Sequence, residues 1–147
     1  MLSRQGLPHV ARTPEQVADI ARGAYVLLDC QGAPEAIVIA TGSEVAISLE
    51  AVRALQEKGR RVRLVAMPSA DVFEAQPADY REAVLPATVR RRVAVEAAHV
   101  DWWRKYVGLD GAVVGMTTFG ESAPGKAVLE YFGFTPARVA EAVEALF

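Results

Sequence analysis

Residues 36–44 are Ala36-Ile-Val-Ile-Ala-Thr-Gly-Ser-Glu44, and this stretch decides the fold of the chain. Its first part is a continuous apolar run, which predicts a strand covered on both faces inside a parallel sheet. In the polar part that follows, the Thr41 hydroxyl can accept from the amide of Glu44 while the Glu44 carboxylate reaches back, so we predict a capped helix start. The spacing of Val45, Leu49, Val52 and Gln56 marks one stripe of that helix.

The next residues extend this stretch into a strand-helix-strand unit. Lys58 and Gly59 close the predicted helix, and residues 61–67 are again apolar enough for a strand. The whole unit, residues 36–67, has the length of about 30 residues that is typical of two parallel strands joined by a crossover helix.

Strands and helices alternate through the rest of the chain. Before the central unit, Thr13, Pro14 and Gln16 predict a helix start with a capping box. The other predicted strands are residues 25–28, 92–96 and 111–115, and the other predicted helices are residues 77–85, 100–107, 124–132 and a last one from Thr135. This alternation predicts a three-layer α/β domain with a mostly parallel sheet of about five strands.

Composition and charge exclude several classes of protein. The chain has 147 residues, 52% apolar and 23% charged, which suits one globular domain. A net charge of -2 disfavours nucleic acid and anionic membranes as partners. No apolar run has signal-peptide or membrane-span length. Cys30 is the single cysteine, so no internal disulfide forms, and we expect a cytoplasmic location.

The turn Thr41-Gly42-Ser43 is a candidate anion site. It follows a strand and opens a helix, the place where α/β sheets bind ligands and where helix amides are free. However, it lacks the glycines of a dinucleotide loop and the lysine of a phosphate loop, and Glu44 would repel an anion. We therefore favour helix capping over anion binding here.

Glu96, His99 and Asp101 form the one cluster that suggests acid-base work or a metal. At helical spacing only His99 and one carboxylate share a face, whereas catalytic metal sites generally need three protein ligands. We expect no metal site and interpret these side chains as polar groups that cap the helix after the strand.

Three aromatic residues, Trp102, Trp103 and Tyr106, form either a patch for a protein partner or part of the core. We expect one tryptophan to point inward and the other to lie near an interface. Cys30 has no basic neighbour in sequence and is expected to be structural. Residues 90–92 are all arginine and are expected to be solvated or to lie against helix carbonyl ends.

Six segments taken together resemble one known family. They are Leu2-Ser-Arg-Gln5, Ala21-Arg-Gly-Ala-Tyr-Val26, Ile39-Ala-Thr-Gly-Ser-Glu44, Met67-Pro-Ser69, Val93-Ala-Val-Glu-Ala97 and Gly115-Met-Thr-Thr-Phe-Gly-Glu-Ser-Ala-Pro124. In this order they resemble the C-terminal domain of transketolase, and the last segment is the most specific. The resemblance spans nearly the whole chain.

The resemblance implies a three-layer α/β/α sandwich whose mixed five-stranded sheet has its first strand antiparallel to the others. Residues 1–12 would be a lead-in from the preceding pyrimidine-binding domain, and residues 13–147 the C-terminal domain. The family's enzyme is a homodimer that uses thiamine diphosphate with Mg²⁺ or Ca²⁺ to move a two-carbon ketol unit between sugar phosphates in the pentose phosphate pathway. Its cofactor and metal are held by other domains, so this chain by itself is expected to be inactive, without cofactor, and to serve in docking.

Arg4 is the one substrate-binding residue that the resemblance implies. An arginine in a terminal segment is usually solvated, although its guanidinium can clamp a phosphate bidentately. In the family, the arginine of the Ser-Arg-Gln segment helps to bind the sugar phosphate, in the complete enzyme only. No catalytic residue is expected in this chain.

Two other functions remain open from the sequence. One is a free-standing α/β module that binds a small anion or nucleotide at the helix start of residues 41–44. The other is a protein-interaction domain that uses its aromatic cluster at residues 102–106.

Overall fold

A computed structural model describes residues 6–147 of the chain. The five strands are β1 (Tyr25–Leu28), β2 (Ala36–Ala40), β3 (Val62–Ala66), β4 (Arg92–His99) and β5 (Ala112–Met116). The seven α-helices of the described part are α1 (Pro14–Asp19), α2 (Glu44–Glu57), α3 (Ala70–Glu74), α4 (Ala78–Val84), α5 (Arg104–Val107), α6 (Gly125–Tyr131) and α7 (Pro136–Glu144). Two short 3-10 turns, Ile20–Arg22 and Val100–Trp103, extend α1 and precede α5. In the described part, no helix combines the length and the apolar character that crossing a membrane requires.

The strands form one sheet in the order β1-β3-β2-β4-β5. β1 pairs with β3 antiparallel, and the other three pairings are parallel. The mixed five-stranded sheet with an antiparallel first strand is therefore confirmed. β2 lies at the centre, where Val38 pairs with Leu64 of β3 on one side and with Val93 of β4 on the other.

Alternate residues of β2 contribute to two separate cores. Val38 belongs to the core that contains the buried stripes of α2 and α7, among them Val52 and Val139. Ile37 and Ile39 belong to the core on the other face, which is covered by α3, α4 and the region of α5. Because successive side chains of a strand point to opposite faces, one strand supports both helical layers. The three-layer sandwich is thus confirmed.

The start of α1 agrees with the sequence-based prediction in detail. The Gln16 amide donates to the Thr13 hydroxyl at 3.3 Å, and the Gln16 side-chain oxygen accepts from the Thr13 amide at 3.1 Å. Pro14 occupies the first turn. Both bonds join residues three apart, so local sequence is sufficient to predict them.

The sequence patterns predict no helix between residues 67 and 77, whereas the structure has α3 there. It has five residues, and only Phe73 among them is buried. Such a short segment with a single core residue has no helical period to detect. Its position depends on the tertiary structure, because the Ser69 amide donates to the Gly23 carbonyl at 3.0 Å and the Phe73 ring packs edge-on against Tyr80.

Gly23 and Gly59 provide a matched pair for testing this contact. Both have φ +87°, but an added Cβ at Gly23 would lie 2.4 Å from the Phe73 nitrogen and the Ser69 oxygen, whereas Gly59 has open space around it. We expect Gly59→Ala to lower the free energy of unfolding by about 1 kcal/mol through backbone strain. Gly23→Ala should cost more than about 3 kcal/mol, because backbone atoms cannot move aside cheaply. Urea denaturation of both variants measures this difference, and equal losses would show that the Gly23 contact is unimportant.

Candidate functional site

The candidate site lies at the edge of the sheet where the parallel strands β2 and β4 end. After β2 the chain crosses to β3 on one side, whereas β4 lies on the other side. Ligands of open α/β sheets bind at such a switch point. The turn of residues 41–43 comes from β2, and Ala97 comes from the end of β4.

The turn after β2 differs from the predicted capping box. Gly42 adopts a left-handed φ of +57°, and the Glu44 amide donates to the backbone oxygen of Thr41 at 3.2 Å. Ser43 is the N-cap residue, and its side chain makes no capping bond. The prediction that the Thr41 hydroxyl caps α2 is therefore wrong, since the tight turn at Gly42 gives the amide a backbone acceptor instead.

The Glu44 carboxylate lies at the switch point and links the turn after β2 to β4. Glu44 is only 4% exposed. One of its oxygens accepts from the Ser43 hydroxyl at 2.6 Å, and the other accepts from the Ala97 amide at 3.3 Å. The carboxylate thus ties the start of α2 to the end of β4, across the place where a ligand would enter.

A negative group in this position works against anion binding. The free amides of a helix start attract anions, but here a buried carboxylate lies beside them. The anion site at Thr41, Gly42 and Ser43 remains a prediction, and the observed geometry does not favour it.

The polar residues at the end of β4 serve structural roles. The Trp103 ring nitrogen donates to Glu96 at 2.8 Å. His99 is the N-cap of the following 3-10 turn, and its Nδ1 accepts from the Asp101 amide at 3.4 Å. Among residues 6–147, no three histidine, cysteine or acidic side chains form a group that could hold a metal ion. The capping role predicted for this cluster is confirmed at His99, whereas Glu96 accepts a hydrogen bond from the indole of Trp103.

The two tryptophans separate as predicted into a buried and an exposed residue. Trp103 is 2% exposed, whereas Trp102 is 61% exposed. Tyr106 is buried, and its hydroxyl donates to Glu74, which also binds Lys105. The hydrogen bonds from Lys105 and Tyr106 hold the pKa of Glu74 below its usual range. Tyr106 therefore belongs to the core, and an interface at Trp102 remains a prediction.

Cys30 and the arginines of residues 90–92 lie away from the switch point. Burial, with help from the charge of Asp29, raises the pKa of the Cys30 thiol, which leaves little thiolate at neutral pH. Arg92 is half-buried and donates to carbonyl oxygens that follow α4 and lie within α5, and burial lowers its pKa. Its acceptors are the carbonyls of Leu85, Pro86, Val89 and Tyr106. The interpretation of Cys30 as structural and of Arg92 as a partner of helix ends agrees with this geometry.

Arg4, the predicted phosphate-binding residue, lies outside the described residues. The first described residues, Gly6 to Pro8, lie beside α2 and α6 and line a cleft with Ser43 and Lys126. Further along, the Arg12 guanidinium donates to the Tyr25 hydroxyl at 2.6 Å and to the Val10 carbonyl at 2.8 Å. The lead-in is thus attached to the domain at β1.

The structure shows a second candidate site, a loop for which the sequence analysis predicted no functional role. The loop of residues 117–124, which follows β5, is exposed throughout, and Phe119 is 97% exposed. A cleft of roughly 350 Å³ lies between this loop and α6. The available signal in the sequence is Phe119 itself, a large aromatic residue next to Gly120 and outside any periodic segment.

Comparisons with known proteins agree on one family. A family model described as the transketolase-like C-terminal domain matches residues 23–135. Transketolase 2 of Vibrio parahaemolyticus is 53% identical over 146 residues, which is 99% of this chain and 22% of that protein. The chain spans about a fifth of the length of the curated relatives it matches.

Solved structures show the same architecture. A Pichia stipitis transketolase in complex with sedoheptulose 7-phosphate matches with a TM-score of 0.84 and 30% identity, over 97% of this chain and 20% of that one. A split-gene transketolase, solved as an inactive beta4 tetramer, matches with a TM-score of 0.69 and 25% identity, over 97% of this chain and 47% of that one.

Removing the Glu44 carboxylate tests its role at the switch point. Glu44→Ala should lower the free energy of unfolding by about 2 kcal/mol, because hydrogen bonds to a charged group are lost and the Ala97 amide loses its acceptor. Glu44→Gln retains one acceptor oxygen and should cost about 1 kcal/mol. The control is Glu50→Ala on the exposed face of α2, with an expected change within about 0.5 kcal/mol. Urea denaturation measures all three, and a Glu44→Ala loss no greater than the control would contradict the proposed role.

Proposed function

The chain belongs to the family of transketolase C-terminal domains, and from this membership we propose that it works as the C-terminal domain of a thiamine diphosphate-dependent transketolase. In that enzyme a two-carbon ketol unit moves from a ketose phosphate to an aldose phosphate in the pentose phosphate pathway. The proposal rests on the match to the Vibrio protein, which covers 99% of this chain but only 22% of that protein. The domain contributes docking and stability, and the remaining domains supply the chemistry.

The described residues do not fit the cofactor of the complete enzyme. They bring together no set of metal-ligating side chains, and the helix start that would suit a diphosphate holds the Glu44 carboxylate. We therefore propose that thiamine diphosphate and its Mg²⁺ or Ca²⁺ are held by other domains. The split-gene transketolase, whose chain is about twice as long as this one, is inactive as a beta4 tetramer, which supports the proposal that a part of the enzyme alone lacks activity.

We further propose that residues 1–12 belong to the segment that joins the pyrimidine-binding domain to this one. The first regular element of the described chain begins at Pro14, and residues 6–12 contain neither helix nor strand. Within the segment, Arg4 is proposed to bind the phosphate of the sugar substrate in the complete homodimer. The sugar phosphate bound by the Pichia enzyme supports that class of ligand.

We also propose a cytoplasmic location, which the single cysteine of this chain supports.

The free-standing anion-binding module is not favoured. The chain matches transketolases along almost its entire length, and the proposed anion position adjoins a buried carboxylate. A pure interaction domain is compatible with the docking role and is not a separate function.

Activity measurements on the chain and on a chimaera test the proposal. The purified 147-residue chain should neither bind thiamine diphosphate with Mg²⁺ in calorimetry nor transfer ketol groups from sedoheptulose 7-phosphate, because we propose that other domains hold the cofactor. A chimaera of the Vibrio enzyme, with its matched 146 residues replaced by those of this chain, should be active. Its control is the Vibrio enzyme without that region. Turnover by the isolated chain, or a folded but inactive chimaera, would contradict the proposal.

Substitution of Arg4 in the same chimaera tests the substrate-binding proposal. Arg4→Ala should raise KM for the sugar phosphate roughly tenfold or more, since a charge-assisted hydrogen bond to phosphate is lost, while kcat changes less. Arg4→Lys keeps the charge without the bidentate fork and should be intermediate. The control is Arg53→Ala on the exposed face of α2. An unchanged KM in Arg4→Ala would exclude the assignment.

A further inference from the structure

Two large aromatic side chains are exposed at the carboxyl edge of the sheet. Trp102 follows β4 and is 61% exposed, and Phe119 follows β5 and is 97% exposed. β4 and β5 are neighbours and parallel, so both residues lie at the same edge. Two large exposed aromatic side chains at one edge of the sheet are candidates for an interaction site, because exposed apolar patches mark such sites.

The loop that carries Phe119 has an apolar cleft beneath it. Residues 117–124 are all exposed. The cleft, of roughly 350 Å³, is formed by the loop, the end of β4 at His99 and the inner side of α6. Its apolar lining includes Met116, Val128, Leu129, Phe132 and Phe134. The cleft is therefore large enough to accept an apolar side chain from a partner.

The chain enters the domain beside this same cleft. Gly6, Leu7 and Pro8 line a second cleft of roughly 470 Å³, on the side of α6 that faces α2. Leu129 and Phe134 contribute to both clefts. The described chain therefore begins at α6, next to the exposed loop.

We propose that Trp102, the loop of residues 117–124 and the cleft against α6 form the surface on which the preceding part of a transketolase chain docks. We name it the carboxyl-edge surface. The inference rests on the proposed function and specifies which face of the domain is used. The matching model describes a C-terminal domain and this chain covers about a fifth of its relatives, so most of each relative precedes the matched region.

The position of the chain entry selects this occupant over a second copy of the domain. Polypeptide attached directly beside the surface is held there at an effective concentration in the millimolar range. A separate copy has no such advantage. Leu109 is as exposed as Phe119 but precedes β5, at the opposite end of that strand. It is therefore the matched control for an exposed apolar residue outside the carboxyl-edge surface.

Hydrogen exchange in the isolated chain and in the Vibrio chimaera tests the proposal. Amides of residues 117–124 should exchange rapidly in the isolated chain and about tenfold or more slowly in the chimaera, because docking covers the loop. The double substitution Trp102→Ser and Phe119→Ser should restore rapid exchange in the chimaera and lower its Tm. The same variant should leave the Tm of the isolated chain unchanged, since both side chains are exposed there. Leu109→Ser should alter neither protein.

The outcomes separate the docking surface from the proposed function. An active chimaera whose loop exchanges as rapidly as in the isolated chain overturns the docking surface and leaves the function intact. Self-association of the isolated chain in sedimentation, abolished by Phe119→Ser, also overturns it, because the occupant is then a second copy. A folded but inactive parent chimaera overturns the proposed function and the docking surface together.

Discussion

Complete burial of β2 is the constraint on which the rest of the structure depends. All five of its residues have no exposed surface. Val38 and its alternate neighbours support α2 and α7, whereas Ile37 and Ile39 support the helices on the other face. Each large apolar side chain contributes about 1.5–3 kcal/mol on burial. A polar substitution in this strand would therefore weaken both helical layers at once.

The central strand also determines where chemistry would be expected, at its carboxyl end. In this domain that place is occupied by the protein itself, because the Glu44 carboxylate accepts from the Ser43 hydroxyl and the Ala97 amide. The arrangement places a buried carboxylate at the position where an α/β domain usually binds a ligand. This geometry supports the proposed role of the domain in docking within a larger enzyme.

At the carboxyl edge of the sheet, the Glu44 carboxylate lies at the end of β2, whereas large aromatic side chains are exposed after β4 and β5. Trp102 and Phe119 expose their rings there, and the first described residues reach α6 at the same edge. The docking surface proposed for this edge would explain these exposed rings, since the curated relatives are about five times longer than this chain. Apolar area left uncovered in one domain is stabilising when a neighbouring domain buries it.

Sequence alone determined the features that depend on neighbours along the chain: the apolar run of β2, the alternation of strands and helices, and the capping box between Thr13 and Gln16, three residues apart. The antiparallel first strand was expected from the family resemblance. Tertiary structure decided the interactions between distant residues. The Glu44 carboxylate accepts from the amide of Ala97, 53 residues away. The local pattern could not show this bond, and it wrongly predicted that the Thr41 hydroxyl caps α2. The helix α3 depends on Phe73 and Gly23 in the same way. Such contacts form only when the chain has folded, and no local period encodes them.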